Sequence, residues 1–339
     1  MRKQILVTGG NGFLALHIIQ KLLAAGYQVR ATLRSLTKAA GVQQTLLAAG
    51  TEHVERLEFV VADLTQDAGW DEAMQGIDAV MSVAAPVFVN DKRVTETVTT
   101  AATVGTQRIL QAALTAGVQR VVMTANLGAV GFSSFDPQHV ITETDWTAEN
   151  QHGLSAYEKS KLIAEHTAWD FVAAHPALEL VTVNAGAMLG PALGQHVTSS
   201  FGLVERLLTG QPTPNLTVNV VDVRDVADIH VRALTTPAAA NYRVLAVEDG
   251  AISMQGMVTL IRRERPELAA KLPKHLLPNG LVKALAPVSQ PVREAALTLK
   301  LGHRVSNQRA RDLLGWTPVS DNQTAVLAAV DSLHRIGKV

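Results

Sequence analysis

Tyr157 and Lys161 stand four residues apart in the segment Tyr157-Glu158-Lys159-Ser160-Lys161. On a helix that spacing puts both on one face. A free phenol, with a pKa of about 10, is a weak acid–base at neutral pH. An ammonium beside it favours the phenolate and lowers that value. Such a pair can exchange a proton with a carbonyl or alcohol oxygen. A second segment, Gly9-Gly10-Asn11-Gly12, carries binding chemistry rather than proton transfer. Small residues allow a tight turn and a close backbone approach to a pyrophosphate. The amides of a following helix then point at that charge, aided by the helix dipole.

A third feature bears on which dinucleotide binds. An NAD site usually carries Asp or Glu at the end of the second strand, to hold the ribose hydroxyls. Here that stretch reads Val29-Arg30-Ala31-Thr32-Leu33-Arg34-Ser35, with no carboxylate. Arg34 can pair with a 2′-phosphate, and Lys38 can add a second charge, so the expected cofactor is NADP(H). Six basic residues (Arg2, Lys3, Lys21, Arg30, Arg34 and Lys38) precede the first acidic one, Glu52, as if this end of the fold faces an anion.

The elements that must position these groups follow from the apolar pattern. Residues 4–8 read as a short buried strand, and residues 13–25 carry helical spacing through Leu14, Ile18, Leu22 and Leu23, with Gly26 as a stop. Further strands are expected at 28–33, 57–62, 79–84, 120–124 and 180–184, with helices at 96–116 and 155–175. Strands that are apolar throughout, alternating with helices, indicate a parallel sheet covered on both faces. The expected fold is therefore α/β, a doubly wound parallel sheet (Rossmann) with a smaller C-terminal substrate lobe. Residues 1–185 form the expected dinucleotide core and 186–339 mainly the lobe, where prolines break the pattern. Segments near 218–247, notably Val218–Val223 and Tyr242–Val247, are expected to return to the sheet.

Taken in order, several motifs resemble the extended short-chain dehydrogenase/reductase superfamily. They are Thr8-Gly9-Gly10-Asn11-Gly12-Phe13-Leu14-Ala15, Asp63-Leu64, Val83-Ala84-Ala85-Pro86 and Tyr157-x-x-x-Lys161. The stretch Val29–Arg34 is similar to its dihydroflavonol-4-reductase and cinnamoyl-CoA-reductase branch, which includes bacterial aldehyde and ketone reductases. The likeness continues through Val104-Gly105-Thr106, Asp222-Val223-Arg224-Asp225-Val226-Ala227 and Leu314-Gly315-Trp316-Thr317-Pro318, so it spans nearly the whole chain.

The resemblance implies roles position by position. Thr8, Gly9, Gly12, Phe13 and Leu14 belong to the pyrophosphate turn, and Asp63 and Leu64 meet the adenine. Ala84, Ala85 and Pro86 pass under the cofactor. Asn184, Gly186 and Leu189 lie beside the nicotinamide. Tyr157 is the proton donor in reduction, and Lys161 tunes it and bonds the nicotinamide ribose. The family's carbonyl-holding serine falls by register on Asn126, within Thr124-Ala125-Asn126; an amide N–H there can orient a carbonyl oxygen, with Thr124 as the fallback. Phe88 and Val89, and later Phe201, are expected as apolar substrate walls beside Asn126 and Tyr157. The family's common Pro-Gly after the sixth strand is replaced by Ala185-Gly186.

Composition narrows the classes. Hydrophobic residues make up 47% and charged residues 18% of the 339, enough for a sizeable core. Basic and acidic residues are equal at 30 each, which speaks against a nucleic-acid or membrane field. With no cysteine there is no disulfide or thiolate site, and no histidine has metal-ligand spacing, so no metal is expected. A cytoplasmic monomer or homodimer acting on a small carbonyl or alcohol is the expectation. Two rivals stand beside it: a nucleotide-sugar epimerase or dehydratase that retains NAD, and a non-catalytic NADP-sensing regulator.

Overall fold

The computed structural model describes residues 3–84 and 95–339. Its first half alternates strictly: β1 (Gln4–Val7), α1 (Phe13–Ala24), β2 (Gln28–Leu33), α2 (Ala39–Ala48), β3 (Leu57–Val61), α3 (Trp70–Met74), β4 (Ala79–Ser82), α4 (Thr95–Thr115) and β5 (Arg120–Asn126). A helical turn α5 (Gly128–Gly131), then α6 (Ala156–Ala174) and β6 (Glu179–Ala185), complete it. The second half holds β7 (Ala187–Leu189), α7 (Phe201–Leu208), β8 (Thr217–Val218), β9 (Val220–Asp222), α8 (Val223–Thr235), β10 (Arg243–Ala246) and β11 (Ile252–Ser253). It ends with α9 (Met254–Glu264), α10 (Asn279–Leu285), α11 (Gln290–Thr298), α12 (Gln308–Leu314) and α13 (Asn322–Arg335).

Seven strands form one parallel sheet in the order β10-β6-β5-β4-β1-β2-β3. Both faces are covered, which is why its strands are apolar at successive positions. In β1, Ile5 and Val7 face the cluster of α1 and α8, while Leu6 faces Trp70, Ile109 and Ala168 of α3, α4 and α6. The chain leaves β1 toward β2 and later returns to β4 on its other side. That switch point opens a crevice at the carboxyl ends of the strands. Among the described residues no helix is long and apolar enough to cross a membrane.

The two later segments expected to rejoin the sheet behave differently. Arg243–Ala246 does so, as β10 beside β6. Val218–Val223 does not: it splits into β8, paired antiparallel with β11, and β9, paired parallel with β7. The β7–β9 ribbon crosses the end of β6 so closely that a Cβ on Gly186 would lie 2.5 Å from the Asn219 oxygen. Glycine at 186 is what admits that crossing.

The C-terminal motif closes onto α8. Trp316 is buried and its indole N–H donates to Asp225 Oδ1 at 2.9 Å, where the Val319 amide also donates at 2.9 Å. Arg120, at the start of β5, bonds Glu179 and donates to the carbonyls of Ala233, Thr236 and Pro237. A guanidinium there satisfies the orphan carbonyls at the C-terminus of α8.

Candidate active site

The crevice is built on the glycine turn. Gly9 takes φ +68°, and a Cβ there would meet Ala84 Cβ at 3.1 Å. A Cβ on Gly10 would come within 2.6 Å of Ala31 Cβ, so the turn packs flat on β2 only because these positions lack side chains. The Gly9 amide donates to Thr32 Oγ1 and the Gly10 amide to Thr32 O, both at 2.9 Å. No side chain caps α1, and its first backbone bond runs from Leu16 N to Gly12 O. The amides of Phe13, Leu14 and Ala15 therefore emerge free at a positive helix end. The Phe13 and Leu14 side chains are buried, so what they can offer an anion is backbone. Thr8 is wholly buried, and its hydroxyl accepts from the Val83 and Ala84 amides at 2.9 Å each. It braces β1 against the end of β4 rather than lining the crevice.

Of the early basic residues, two are spent inside the fold. Lys21 pairs with Asp228, and Arg30 pairs with Glu58 and donates to Ala73 and Gln75 carbonyls. Arg34 and Lys38 are exposed, and neither has an ion pair or side-chain hydrogen bond among the described residues. Lys38 and Asn11 line one cleft of about 300 Å³ with Gly41, Thr45 and His196. Asp63 turns the chain after β3, its Oδ1 accepting from Thr65 N and Oγ1 at 2.9 Å, while Leu64 is half-buried against Gly105. The expected positions Ala85, Pro86, Phe88 and Val89 lie outside the described residues.

Tyr157 opens α6, whose start is fixed by a capping box between Ser155 and Glu158. Its side chain is 48% exposed, open to the crevice. Lys161, on the same face, is buried and its ammonium donates to the Thr124 main-chain oxygen at 2.9 Å. Burial lowers the Lys161 pKa to about 8, against a raising influence from Glu165. The phenol departs from expectation. Burial of its surroundings raises the Tyr157 pKa, and the group working the other way is the Asn126 side chain, through a hydrogen bond, rather than Lys161.

Asn126 is thus the phenol's immediate neighbour. Its Oδ1 accepts from the Gly128 amide at 2.7 Å, which turns the Nδ2 donors toward Tyr157. The fallback Thr124 is diverted. His230 Nδ1 donates to the Val226 carbonyl at 2.8 Å, so Nε2 accepts the Thr124 hydroxyl at 2.8 Å, inside the α8 face. Burial holds that imidazole neutral, with a pKa of about 4.

Three other expectations are redirected by burial. Phe201 is fully buried, packed edge-on against the Phe13 ring at 5.2 Å, and forms core under the glycine turn rather than a substrate wall. Asn184 is also fully buried, on the α6 side of β6, where it bonds Glu165 and Thr182 instead of facing the nicotinamide position. Leu189 is core, and near it the half-buried Ala187 and Met188 are what face outward. Sequence reasoning missed Glu165, His230 and Arg243. Glu165 had a signal, its place four residues beyond Lys161; the other two had none.

Residues 5–247 match the NAD dependent epimerase/dehydratase family. Cinnamoyl-CoA reductase 1 of Petunia hybrida is 31% identical over 322 residues, covering 93% of this chain and 88% of that protein. Among solved structures, Gre2 from Candida albicans in complex with NADPH superposes with a TM-score of 0.81 at 26% identity, covering 98% of this chain and 99% of its own. Yeast methylglyoxal/isovaleraldehyde reductase Gre2 complexed with NADPH has a TM-score of 0.80 at 25% identity, covering 99% of this chain and 100% of its own.

Proposed function

The chain belongs to the NAD dependent epimerase/dehydratase family, and we propose that within it this protein is an NADPH-dependent reductase of aldehydes or ketones. The observation that carries the reading is Tyr157: an open phenol on which the Asn126 side chain acts, with the buried Lys161 on the same helix face. It stands at the carboxyl end of the sheet, the same end at which the α1 amides emerge. Relatives named as NADPH-bound or as reductases support the same class.

The residues present fit the cofactor. The side-chain-free turn at Gly9, Gly10 and Gly12 and the free amides of α1 suit a pyrophosphate. Arg34, with Lys38, suits a 2′-phosphate, and β2 carries no carboxylate that would repel one. When bound, NADPH supplies a hydride from its nicotinamide C4 to the carbonyl carbon. Tyr157 transfers its Oη proton to the carbonyl oxygen as that oxygen gains charge. A phenol whose pKa is raised keeps its proton at neutral pH, as an acid must. The Asn126 amide then steadies the phenolate, and its second N–H can hold the substrate oxygen. The Lys161 ammonium adds positive charge behind both. Alcohol oxidation runs through the same groups in reverse.

The test is turnover of added NADPH and NADH by purified protein with a panel of simple aldehydes and ketones. Consumption of NADPH well ahead of NADH is expected. No turnover, together with an NAD that co-purifies, would overturn the reading in favour of a nucleotide-sugar epimerase or dehydratase.

A further inference from the structure

Glu165 is fully buried, one helical turn beyond Lys161. A carboxylate in such a place is costly unless partners satisfy it. Its Oε1 accepts from Arg243 Nε at 2.9 Å and from the Thr182 hydroxyl at 3.0 Å, and its Oε2 accepts from Asn184 Nδ2 at 2.6 Å. Asn184 Nδ2 also donates to the main-chain oxygen of Asn126 at 3.3 Å. The Asn126 side chain works to lower the pKa of Tyr157. A chain of hydrogen bonds therefore runs from Glu165 to the main chain of Asn126, whose side chain acts on the open phenol.

A second connection runs along α6. Among the described residues Lys161 Nζ bonds a neutral carbonyl, that of Thr124, and no carboxylate. Tyr157, Glu158 and Glu165 share its helix, His230 of α8 bonds Thr124, and Arg243 of β10 pairs with Glu165. Glu158 is turned back onto Ser155, and His230 is neutral. Arg243 pairs with Glu165 and is held 3.6 Å over the Trp146 ring, bonded to the Glu143 and Asp145 carbonyls. The member of that ion pair on the helix of Lys161 is the carboxylate, one turn away.

We propose that Glu165 is a positioning residue of the reductase centre: one helical turn beyond Lys161 it places negative charge near the ammonium, and through Asn184 it holds the main chain at Asn126, beside Tyr157. The proposal rests on the roles given above to Tyr157 and Lys161, so its test includes a readout that needs no turnover. Lysine labelled with ¹³C at Cε reports the Lys161 titration directly by NMR, with K161M identifying the resonance.

Glu165→Gln keeps the shape and removes the charge; the Lys161 pKa should fall by about one unit. Arg243→Met leaves Glu165 uncompensated; the pKa should rise. The alkaline limb of kcat/KM should move in the same two directions, with NADPH affinity unchanged. A purely structural role predicts that both variants lose activity and melting temperature together, with the titration and the limb unmoved; that result overturns the proposal, as would shifts of the same sign in both. If E165Q does not fold, the E165Q/R243M double variant removes the pair as a unit. Its Lys161 pKa must then lie below that of R243M, and equality overturns the proposal. Absence of turnover in the wild-type protein would refute the reductase reading, while the NMR titration would still decide whether Glu165 controls Lys161.

Discussion

The Lys161 ammonium donates to the Thr124 main-chain oxygen at 2.9 Å, and the side chain that works to lower the Tyr157 pKa is Asn126 rather than Lys161. A strand carbonyl fixes the lysine's position, and burial sets its charge. With a Lys161 pKa lowered to about 8, the active ammonium is present below that pH and lost above it. The rate kcat/KM for reduction should therefore fall along an alkaline limb centred near pH 8, and K161M should lack the limb. A profile for the native protein that stays flat to about pH 10 would remove Lys161 from the mechanism.

Tyr157→Phe deletes only the phenol oxygen. Reduction should drop roughly 10²- to 10⁴-fold, the usual worth of a positioned acid. NADPH binding, measured by fluorescence, should persist, because the pyrophosphate and 2′-phosphate contacts lie elsewhere. The side chain is open, so stability should change by less than about 0.5 kcal/mol. Persisting reduction would show that another group supplies the proton.

Asn126→Ala removes the donor to the phenol and strands the Gly128 amide. Loss of a hydrogen bond to a group that becomes charged costs about 1.5–3 kcal/mol, so kcat should fall roughly 10- to 100-fold. Without that donor the phenolate is harder to form, and the rise of alcohol oxidation with pH should move to higher pH. Asn126→Ser, which retains a donor, should recover part of the rate. An alanine variant with native kcat in both directions would reduce Asn126 to a loop residue.

Arg34→Ala should separate the two dinucleotides. An arginine–phosphate contact is worth about 1.5–3 kcal/mol, so the Kd for NADPH should rise roughly 10- to 100-fold while that for NADH hardly moves. Lys38→Ala should show the same direction with a smaller effect. Equal losses for both cofactors in a titration would mean that neither side chain reads the 2′-phosphate.

Glu248 offers a test of stability rather than catalysis. It is 2% exposed, and burial, together with Asp225 and Asp222, raises its pKa from the ordinary 4.5. The folded state therefore holds a proton that the unfolded chain releases, and stability from this group declines as pH rises above 4.5 toward the raised value. Glu248→Gln keeps the acceptor for the Asp222 amide, bonded at 3.2 Å, and cannot ionise. Its melting temperature relative to the native protein should improve on going from about pH 5 to about pH 9. A difference independent of pH would mean that Glu248 is not protonated in the fold.

How much of this the residues disclose in advance depends on the range of the interaction involved. Gly9 and Gly10 could be read from the chain because a glycine cluster between a strand and a helix is a local signal, although the atoms that leave no room for a Cβ, those of Ala84 and Ala31, are brought there by the sheet. Tyr157 and Lys161 share a face because of the helical repeat, and the want of a carboxylate near Arg34 is a plain property of the segment. Within strands, period alone did not say which face each residue would meet. Asn184 lies with Thr182 on the side of α6, and there the nearest partner is Glu165.

The sequence by itself determined the sheet's first six strands, the glycine turn and the shared helix face of Tyr157 and Lys161, since each follows from covalent periodicity over a few residues. Only the tertiary structure decided which polar groups those residues find. Thr124 meets His230 across 106 positions, and Glu165 meets Arg243 across 78. Phe201 joined the core because the Phe13 ring was there to cover it, and Val218–Val223 formed a ribbon because Gly186 let Asn219 approach. Such contacts arise from packing distant segments at close density, where steric fit and hydrogen-bond satisfaction choose the partner. That choice turned the Thr124 hydroxyl to His230 and left the Asn126 side chain acting on the phenol.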